Sequence, residues 1–165
     1  MNRKGFTLIE LLAVIVLLGL VLVFTVPNII DTYKNSKLKT EKVFVDKLSD
    51  VIDGHIKLNS SDLYFTQDGT ANKEDVQGTV TIYKDIITIN EIIEGNLISE
   101  SDYINAGNKD VKCNINAEIE VYKDSDYVYC HKVKKESLAC LTKEYKDSIT
   151  GNYVIDTCVW SRQWP

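Results

Sequence analysis

The hydrophobic pattern of the chain changes once, after about its first sixth. From Phe6 to Val26 almost every residue is apolar, with Thr7, Glu10 and Thr25 as the polar exceptions. As an α-helix this run would be about 30 Å long, which is the thickness of the hydrocarbon core of a bilayer. The pattern therefore predicts one membrane-spanning helix in the N-terminal segment.

After Pro27 the pattern becomes that of an amphipathic helix. Apolar residues recur at the spacing of one helix face, and polar residues fill the positions between them. The apolar stripe consists of Leu38, Val45, Leu48, Ile52 and Ile56, widened by Val51 and His55. We predict one nearly continuous helix from Phe6 to about Leu58, roughly 80 Å long, with bends at Gly19 and Pro27.

The middle of the chain predicts a connection, a strand and a short helix. Residues 59–75 are polar and rich in turn formers, which indicates a surface connection. Residues 79–83 alternate between polar and apolar side chains, as a half-buried strand does. Residues 87–99 predict a short helix with Thr88 or Asn90 as its N-cap and a glycine near its end.

The last third of the chain predicts strands joined in hairpins. Residues 113–122 alternate in polarity, and residues 127–133 follow them after a polar turn. Residues 136–145 and 152–160 are predicted to form a second hairpin. The whole pattern predicts an α+β fold, in which a long N-terminal α-helix packs on a C-terminal antiparallel β-sheet of about four strands.

Four cysteines lie in this last third: Cys113, Cys130, Cys140 and Cys158. On an exported chain they predict up to two disulfides, for which three connectivities exist; buried free thiols are the alternative. Their spacing matches no common zinc site. The second predicted hairpin brings Cys140 next to Cys158 and so favours that pair. The first hairpin separates Cys113 from Cys130 by about 20 Å, beyond the reach of a disulfide.

Composition and charge exclude several functions. The 165-residue chain has a formal net charge of −5, so we expect no direct binding to nucleic acid, which needs a basic face. The basic stretch at residues 131–135 has two interpretations, a DNA- or partner-binding edge or a solvated edge strand that resists sheet association. Asp68-Gly69 and residues 124–126 resemble parts of calcium loops but are explained as turns. We predict no catalytic residues, metal or cofactor, because no known catalytic motif is present.

The residues around the apolar run help to distinguish a cleaved secretory signal from a membrane anchor. Arg3 and Lys4 precede the run and should stay cytoplasmic, which places the body of the protein outside. A cleaved secretory signal would have a shorter apolar core and a small-residue cleavage site. A plain signal anchor is the other alternative, but it explains neither Gly5 nor Glu10. A carboxylate at the centre of a membrane helix costs about 2.5–3.5 kcal/mol.

The segment RKGFTLIELL, residues 3–12, resembles the class III signal of type IV pilins and pseudopilins. That signal has a basic leader, a glycine, a hydrophobic residue, the pattern T-L-[IV]-E and an apolar stretch, and the match is complete here. Pro27 stands at the place where these proteins have a helix-kinking proline. The resemblance covers the N-terminal segment, and the remainder agrees with the family in architecture.

The resemblance implies specific roles for several residues. A prepilin peptidase would cleave between Gly5 and Phe6 and methylate the new amine of Phe6. Glu10 would promote assembly by attracting the N-terminal amine of a neighbouring subunit, with Pro27 shaping the helix. The implied organisation is a leader at 1–5, a membrane and polymerisation helix at 6–27, its amphipathic continuation at 28–58 and a globular head at 59–165.

The function implied by the resemblance is that of a structural subunit, major or minor, of a type IV pilus or pseudopilus. Its partners would be the prepilin peptidase, other pilin subunits, an assembly platform with its ATPase, and membrane lipid before assembly. The subunit would sit in the cytoplasmic membrane with its head outside, and later in an extracellular filament. The alternative is a membrane-anchored extracellular binding module that never polymerises.

Overall fold

The computed structural model describes residues 7–72, 79–105 and 111–158. Its elements, in chain order, are α1 (Leu8–Leu58), β1 (Thr66–Asn72), β2 (Thr79–Thr88), α2 (Ile89–Glu94), α3 (Glu100–Asn105), β3 (Glu118–Asp124), β4 (Tyr129–Lys134), α4 (Lys143–Ser148) and β5 (Tyr153–Asp156). The fold is α+β and pilin-like, with one long N-terminal helix and a C-terminal antiparallel sheet. This confirms the predicted fold class.

The described chain divides into two compact units between Thr40 and Glu41. In the first unit the apolar side chains of α1 are exposed; Leu8, Ile9 and Phe24 each expose 73% or more of their surface. An 18-residue window of α1 has a mean hydropathy of 2.9, and among the described residues α1 is the one helix long and apolar enough to cross a membrane. The apolar segment fits a single membrane-anchoring helix.

In the second unit, the C-terminal part of α1 buries one face. Val45, Leu48, Ile52 and Ile56 of the predicted stripe are all buried, and full burial of such a side chain stabilises the fold by about 1.5–3 kcal/mol. The stripe also includes two buried residues that the pattern did not single out, Phe44 and the acidic Glu41. His55 is 7% exposed, as expected for a residue that widens the apolar face.

The sheet is a meander of five strands in the order β1-β2-β3-β4-β5, with every neighbouring pair antiparallel. The strand absent from the prediction is β1, in the segment interpreted as a polar connection. Its sequence TQDGTAN has no Val, Ile or aromatic residue and contains Gly, Asp and Asn, which are depleted in strands. Gly69 has φ of 128° and the register shifts between Gln67 and Gly69, so the strand carries a bulge.

The hairpin of β3 and β4 has a different register from the predicted one. Tyr122 lies opposite Cys130, and Lys123 lies opposite Tyr129, because β3 continues to Asp124 and the turn lies later in the chain, at residues 125–128. Asp124 holds this connection, since its Oδ1 accepts hydrogen bonds from the backbone N–H groups of Asp126 at 2.9 Å and Val128 at 2.8 Å. The interpretation of this segment as a turn is therefore confirmed.

The predicted second hairpin is wrong. The segment expected to be its first strand leads into α4, and β5 pairs with β4 instead. The N-cap of α4 is Thr142, whose side chain accepts a hydrogen bond from Tyr145 N–H. The buried carboxylate of Glu41 accepts hydrogen bonds from Thr142 N at 2.9 Å and from Thr142 Oγ1 at 2.7 Å. This contact between residues 101 positions apart cannot be inferred from local pattern.

The position of β4 in the sheet also corrects an interpretation of the basic stretch. β4 lies between β3 and β5, and its His131 and Lys132 are 0% and 4% exposed. The interpretation of residues 131–135 as a solvated edge strand is therefore wrong. Lys132 Nζ lies 3.4 Å from Asp156 Oδ2, so its buried charge has a carboxylate partner on the neighbouring strand.

Two disulfides link the last third of the chain, Cys113–Cys140 and Cys130–Cys158, with Cα–Cα distances of 4.6 and 5.0 Å. The predicted Cys140–Cys158 pair is wrong, whereas the prediction of up to two disulfides is confirmed. The error follows from the hairpin that does not form. Because β5 pairs with β4, Cys158 lies beside Cys130, and Cys140 in the turn before α4 meets Cys113.

The short helix α2 follows the sequence prediction closely. Thr88 is its N-cap, and Thr88 and Glu91 form a capping box in which each side chain bonds the other's backbone N–H. Gly95 is the C-cap, and Asn96 next to it has φ of 58°. Local capping chemistry determines this helix, which is why the sequence alone located it.

Candidate functional site

The first candidate site is the N-terminal turn of α1, where Thr7 and Glu10 form a second capping box. Glu10 Oε2 accepts hydrogen bonds from Thr7 N and from Thr7 Oγ1, both at 2.9 Å. In return Glu10 N–H donates to Thr7 Oγ1 at 3.4 Å. A helix leaves its first N–H groups unsatisfied, and a carboxylate in the first turn also interacts favourably with the helix dipole.

Thr7 is thus a local partner of the Glu10 carboxylate, in addition to the neighbouring amine that the resemblance implies. Both described hydrogen bonds to the carboxylate use Oε2, whereas within the described residues Oε1 accepts none. Oε2 therefore stabilises the start of the helix. The pattern T-x-x-E before an apolar run is the sequence signature of a capping box, and this signal was available in Thr7-Leu8-Ile9-Glu10.

The structure describes the other residues of the predicted processing and assembly site only in part. Gly5 and Phe6 lie outside the described residues. Pro27 lies within α1, whose backbone stays helical through it, and its side chain is not described. The structure therefore places Glu10 and Thr7 together at the start of the helix, and the roles of Gly5, Phe6 and Pro27 remain predictions.

The head contains a second cluster of charged groups, centred on Glu120 in β3. Its Oε1 lies 3.1 Å from both Lys84 Nζ and Lys134 Nζ. Its Oε2 accepts hydrogen bonds from the hydroxyls of Tyr122 at 3.0 Å and Tyr153 at 3.2 Å. Burial alone would raise the pKa of Glu120, but the hydrogen bonds from Lys84, Lys134 and Tyr122 outweigh it and lower the pKa to about 2.

This cluster predicts an acid-sensitive contribution to the stability of the head. Because the pKa of Glu120 is about 2 when folded and 4.5 ordinarily, the stabilisation is complete above pH 4.5 and is lost as the pH falls towards 2. We expect Glu120→Gln to lower the free energy of unfolding by about 3 kcal/mol at pH 7 and by much less at pH 2. Urea unfolding of the full chain in detergent at several pH values measures this. Exposed Glu118, two residues away, provides the control Glu118→Gln; an equal loss in the control would contradict the prediction.

A third cluster joins α1 to the sheet through His131. Its Nδ1 lies 3.0 Å from Asp53 Oδ1, and its Nε2 lies 3.0 Å from Ser49 Oγ. Burial lowers the pKa of His131, although Asp53 opposes the shift, so the ring is neutral at pH 7. Its Nδ1–H then donates to Asp53 and its Nε2 accepts from Ser49. Since Ser49 and Asp53 lie one turn apart on α1, the ring fixes the rotation of this helix on β4.

The described residues contain no group of three or more His, Cys, Asp or Glu side chains placed to hold a metal ion. Of the three clusters described above, the N-terminal segment is the strongest candidate functional site, because Glu10 places a carboxylate at the start of an exposed apolar helix.

Comparison with known proteins identifies this same segment. The family profile described as the prokaryotic N-terminal methylation motif matches residues 1–26. No curated protein and no solved structure gives a significant match. The motif indicates a chain of the prepilin type and supports a subunit of the type IV pilin or pseudopilin kind, a class that is in general structural and not enzymatic. It also implies processing by a prepilin peptidase and assembly with other pilin subunits, and with the apolar helix it fits membrane anchoring.

Proposed function

We propose that this protein is a structural subunit, major or minor, of a type IV pilus or pseudopilus. The observation that carries the proposal is the methylation motif at residues 1–26, which leads directly into an exposed apolar helix whose first turn contains Glu10. Such a helix is held by lipid before assembly and by the helices of other subunits afterwards. An assembly platform and its ATPase would move the subunit from one environment to the other.

The proposed processing site lies between Gly5 and Phe6. Cleavage there removes the leader at 1–5, with Arg3 and Lys4, but keeps the apolar helix at 6–27, so the subunit stays in the membrane. It also creates a positively charged amine on Phe6, which the peptidase methylates. The continuation at 28–58 and the head at 59–165 lie outside the cytoplasm and become the filament surface.

In the proposed assembly step, Glu10 accepts the Phe6 amine of a neighbouring subunit. The capping geometry supports this role because Thr7 engages Oε2, which leaves Oε1 for an intermolecular partner. In an apolar bundle an ion pair of this kind is little screened, and an unpaired charge is costly. The carboxylate would therefore favour the axial stagger that brings the two groups together.

Mass spectrometry of the protein extracted from membranes tests this proposal. We expect a chain that begins at Phe6 and is heavier by one methyl group on its N-terminal amine. Cells lacking the peptidase provide the control and should yield the intact chain from Met1. An unmodified Met1 start in cells with an active peptidase would contradict the proposal and favour the alternative, an anchored binding module that does not polymerise.

A further inference from the structure

A row of three paired residues crosses the sheet next to the turn between β3 and β4. Tyr83 lies opposite Lys123, and Lys123 lies opposite Tyr129, so their side chains share one face of the sheet. Phe65, just before β1, covers this row, with its ring centroid 5.9 Å from that of Tyr129. The ammonium group of Lys123 lies 4.5 Å from the ring centroid of Phe65, 5.2 Å from that of Tyr127 and 5.6 Å from that of Tyr83.

Lys123 differs from the other lysines of the sheet in the groups that contact its ammonium. Lys84 and Lys134 contact Glu120, and Lys132 contacts Asp156. In the described part of the chain, Lys123 has aromatic rings as its partners and no carboxylate. Rings attract a cation through their electron-rich faces but do not neutralise its charge. A half-buried cation in this position retains the capacity to bind an anionic group.

Tyr127 adds an exposed aromatic surface beside this cation. Its side chain is 72% exposed, and the neighbouring Val128 is 47% exposed. Tyr127 also has φ of 61°, a left-handed conformation that costs a residue with a Cβ atom about 1–2 kcal/mol. The turn therefore presents an aromatic ring to solvent next to Lys123, at a cost in both backbone strain and exposed apolar surface.

We propose that Lys123, Phe65, Tyr83 and Tyr127 form a recognition site for a carbohydrate that carries a carboxylate, such as a uronic acid residue. The apolar C–H face of a sugar ring packs on the exposed ring of Tyr127, and the tyrosine hydroxyls bond to the sugar hydroxyls. Lys123 pairs with the sugar carboxylate, a charge-assisted contact. This site goes beyond the proposed role in filaments and does not depend on polymerisation.

A single-stranded nucleic acid and an acidic peptide fit this site less well than the acidic sugar. A single-stranded nucleic acid also stacks on aromatic rings, but it needs a groove of several cations along its backbone. Among the described residues one lysine serves the aromatic cluster, and the chain has a net charge of −5. An acidic peptide supplies carboxylates but no flat C–H face to pack on the exposed ring of Tyr127. A cation beside an exposed ring matches a sugar residue that combines such a face with a carboxylate.

The test measures binding of the full-length chain, in detergent, to a fluorescently labelled hexasaccharide of alternating glucuronic acid and N-acetylglucosamine. Fluorescence anisotropy should show saturable binding, which weakens about tenfold or more when the carboxylates are converted to methyl esters. Lys123→Met, which keeps the aliphatic stem of the side chain, should weaken binding by a similar factor, and Tyr127→Ala should also weaken it. Lys123→Arg should bind nearly as the original protein does.

Lys143→Met, on exposed α4, is the matched control and should leave binding unchanged; near-UV circular dichroism verifies that each variant is folded. The proposal is overturned if binding does not saturate, if the esterified sugar binds equally well, or if Lys123→Met has no effect in the folded protein. It is also overturned if a labelled oligothymidylate or a tetraglutamate peptide binds more tightly than the hexasaccharide.

Discussion

Replacing Glu10 with glutamine is expected to preserve the membrane helix and to stop filament assembly. Glutamine at the third position of a helix still forms a capping box, so Glu10→Gln retains the contacts with Thr7 but loses the negative charge. Removing one partner of a buried ion pair costs about 3–5 kcal/mol, because the other charge is left unpaired. At about 1.4 kcal/mol for each factor of ten, subunit association should weaken by roughly two to four orders of magnitude.

Two further variants separate the charge of Glu10 from its cap. Thr7→Val removes the hydroxyl that contacts Glu10 but leaves the carboxylate, so it should cost only about 1 kcal/mol of helix stability and permit assembly. Glu10→Ala removes both functions and should insert in the membrane without assembling. Filament yield, measured by shearing and electron microscopy, is compared with the amount of processed subunit in the membrane. Normal filaments from Glu10→Gln would show that capping, and not charge pairing, explains this residue.

Removal of either disulfide is expected to destabilise the head strongly. The two bonds close chain segments of 27 and 28 residues, and cross-links over such lengths restrict the unfolded chain by about 3–4 kcal/mol each. Cys113→Ser with Cys140→Ser should lower the free energy of unfolding by about 2–4 kcal/mol, as should Cys130→Ser with Cys158→Ser. The segments overlap between residues 130 and 140, so the two losses should not be additive.

The same set of variants tests the connectivity. The double variant Cys113→Ser with Cys140→Ser should retain one disulfide and show no free thiol on labelling of the unreduced, denatured protein. Cys113→Ser with Cys130→Ser breaks one partner of each bond and should expose two free thiols. Cys113 and Cys140 are 5% and 0% exposed, so the bond between them should resist reductants until the head unfolds. A free pair of thiols in the first double variant would contradict the pairing.

The elements that the sequence predicts correctly are those that depend on interactions between nearby residues. The helix α1 was indicated by its apolar periodicity, and α2 by its capping residues Thr88 and Glu91 together with Gly95. Strands β2, β3 and β4 were also indicated, although β2 extends further and β3 begins later than predicted. In each case the signal lies within a few residues of the element, since capping and alternation are local properties.

The elements that the sequence does not predict depend on pairing between distant segments. β1 is an edge strand of polar residues, and it is a strand because β2 supplies its hydrogen bonds. The segment before β5 became α4 because Glu41 holds its N-cap from another element. These two pairings, and the displaced turn held by Asp124, determine the sheet order and therefore which cysteines meet.

The candidate sites also divide into those encoded in one stretch of sequence and those built from distant segments. The sequence located the N-terminal segment, Glu10 included, since the methylation motif is continuous in the chain at residues 1–26. Its capping box was also encoded locally, in Thr7 and Glu10, and was missed. The cluster around Glu120 and the aromatic surroundings of Lys123 each draw on three or more separate segments, so no local pattern indicates them.

The sequence by itself determined which segment fits a membrane-anchoring helix and carries the methylation motif. A bilayer-length apolar run and a linear motif act through neighbouring residues and need no folded head. Only the tertiary structure decided the order of the strands, the pairing of the four cysteines and the surroundings of each buried charge. Those features depend on which distant segments pack together, and the free energy that selects the packing is a sum over the whole head.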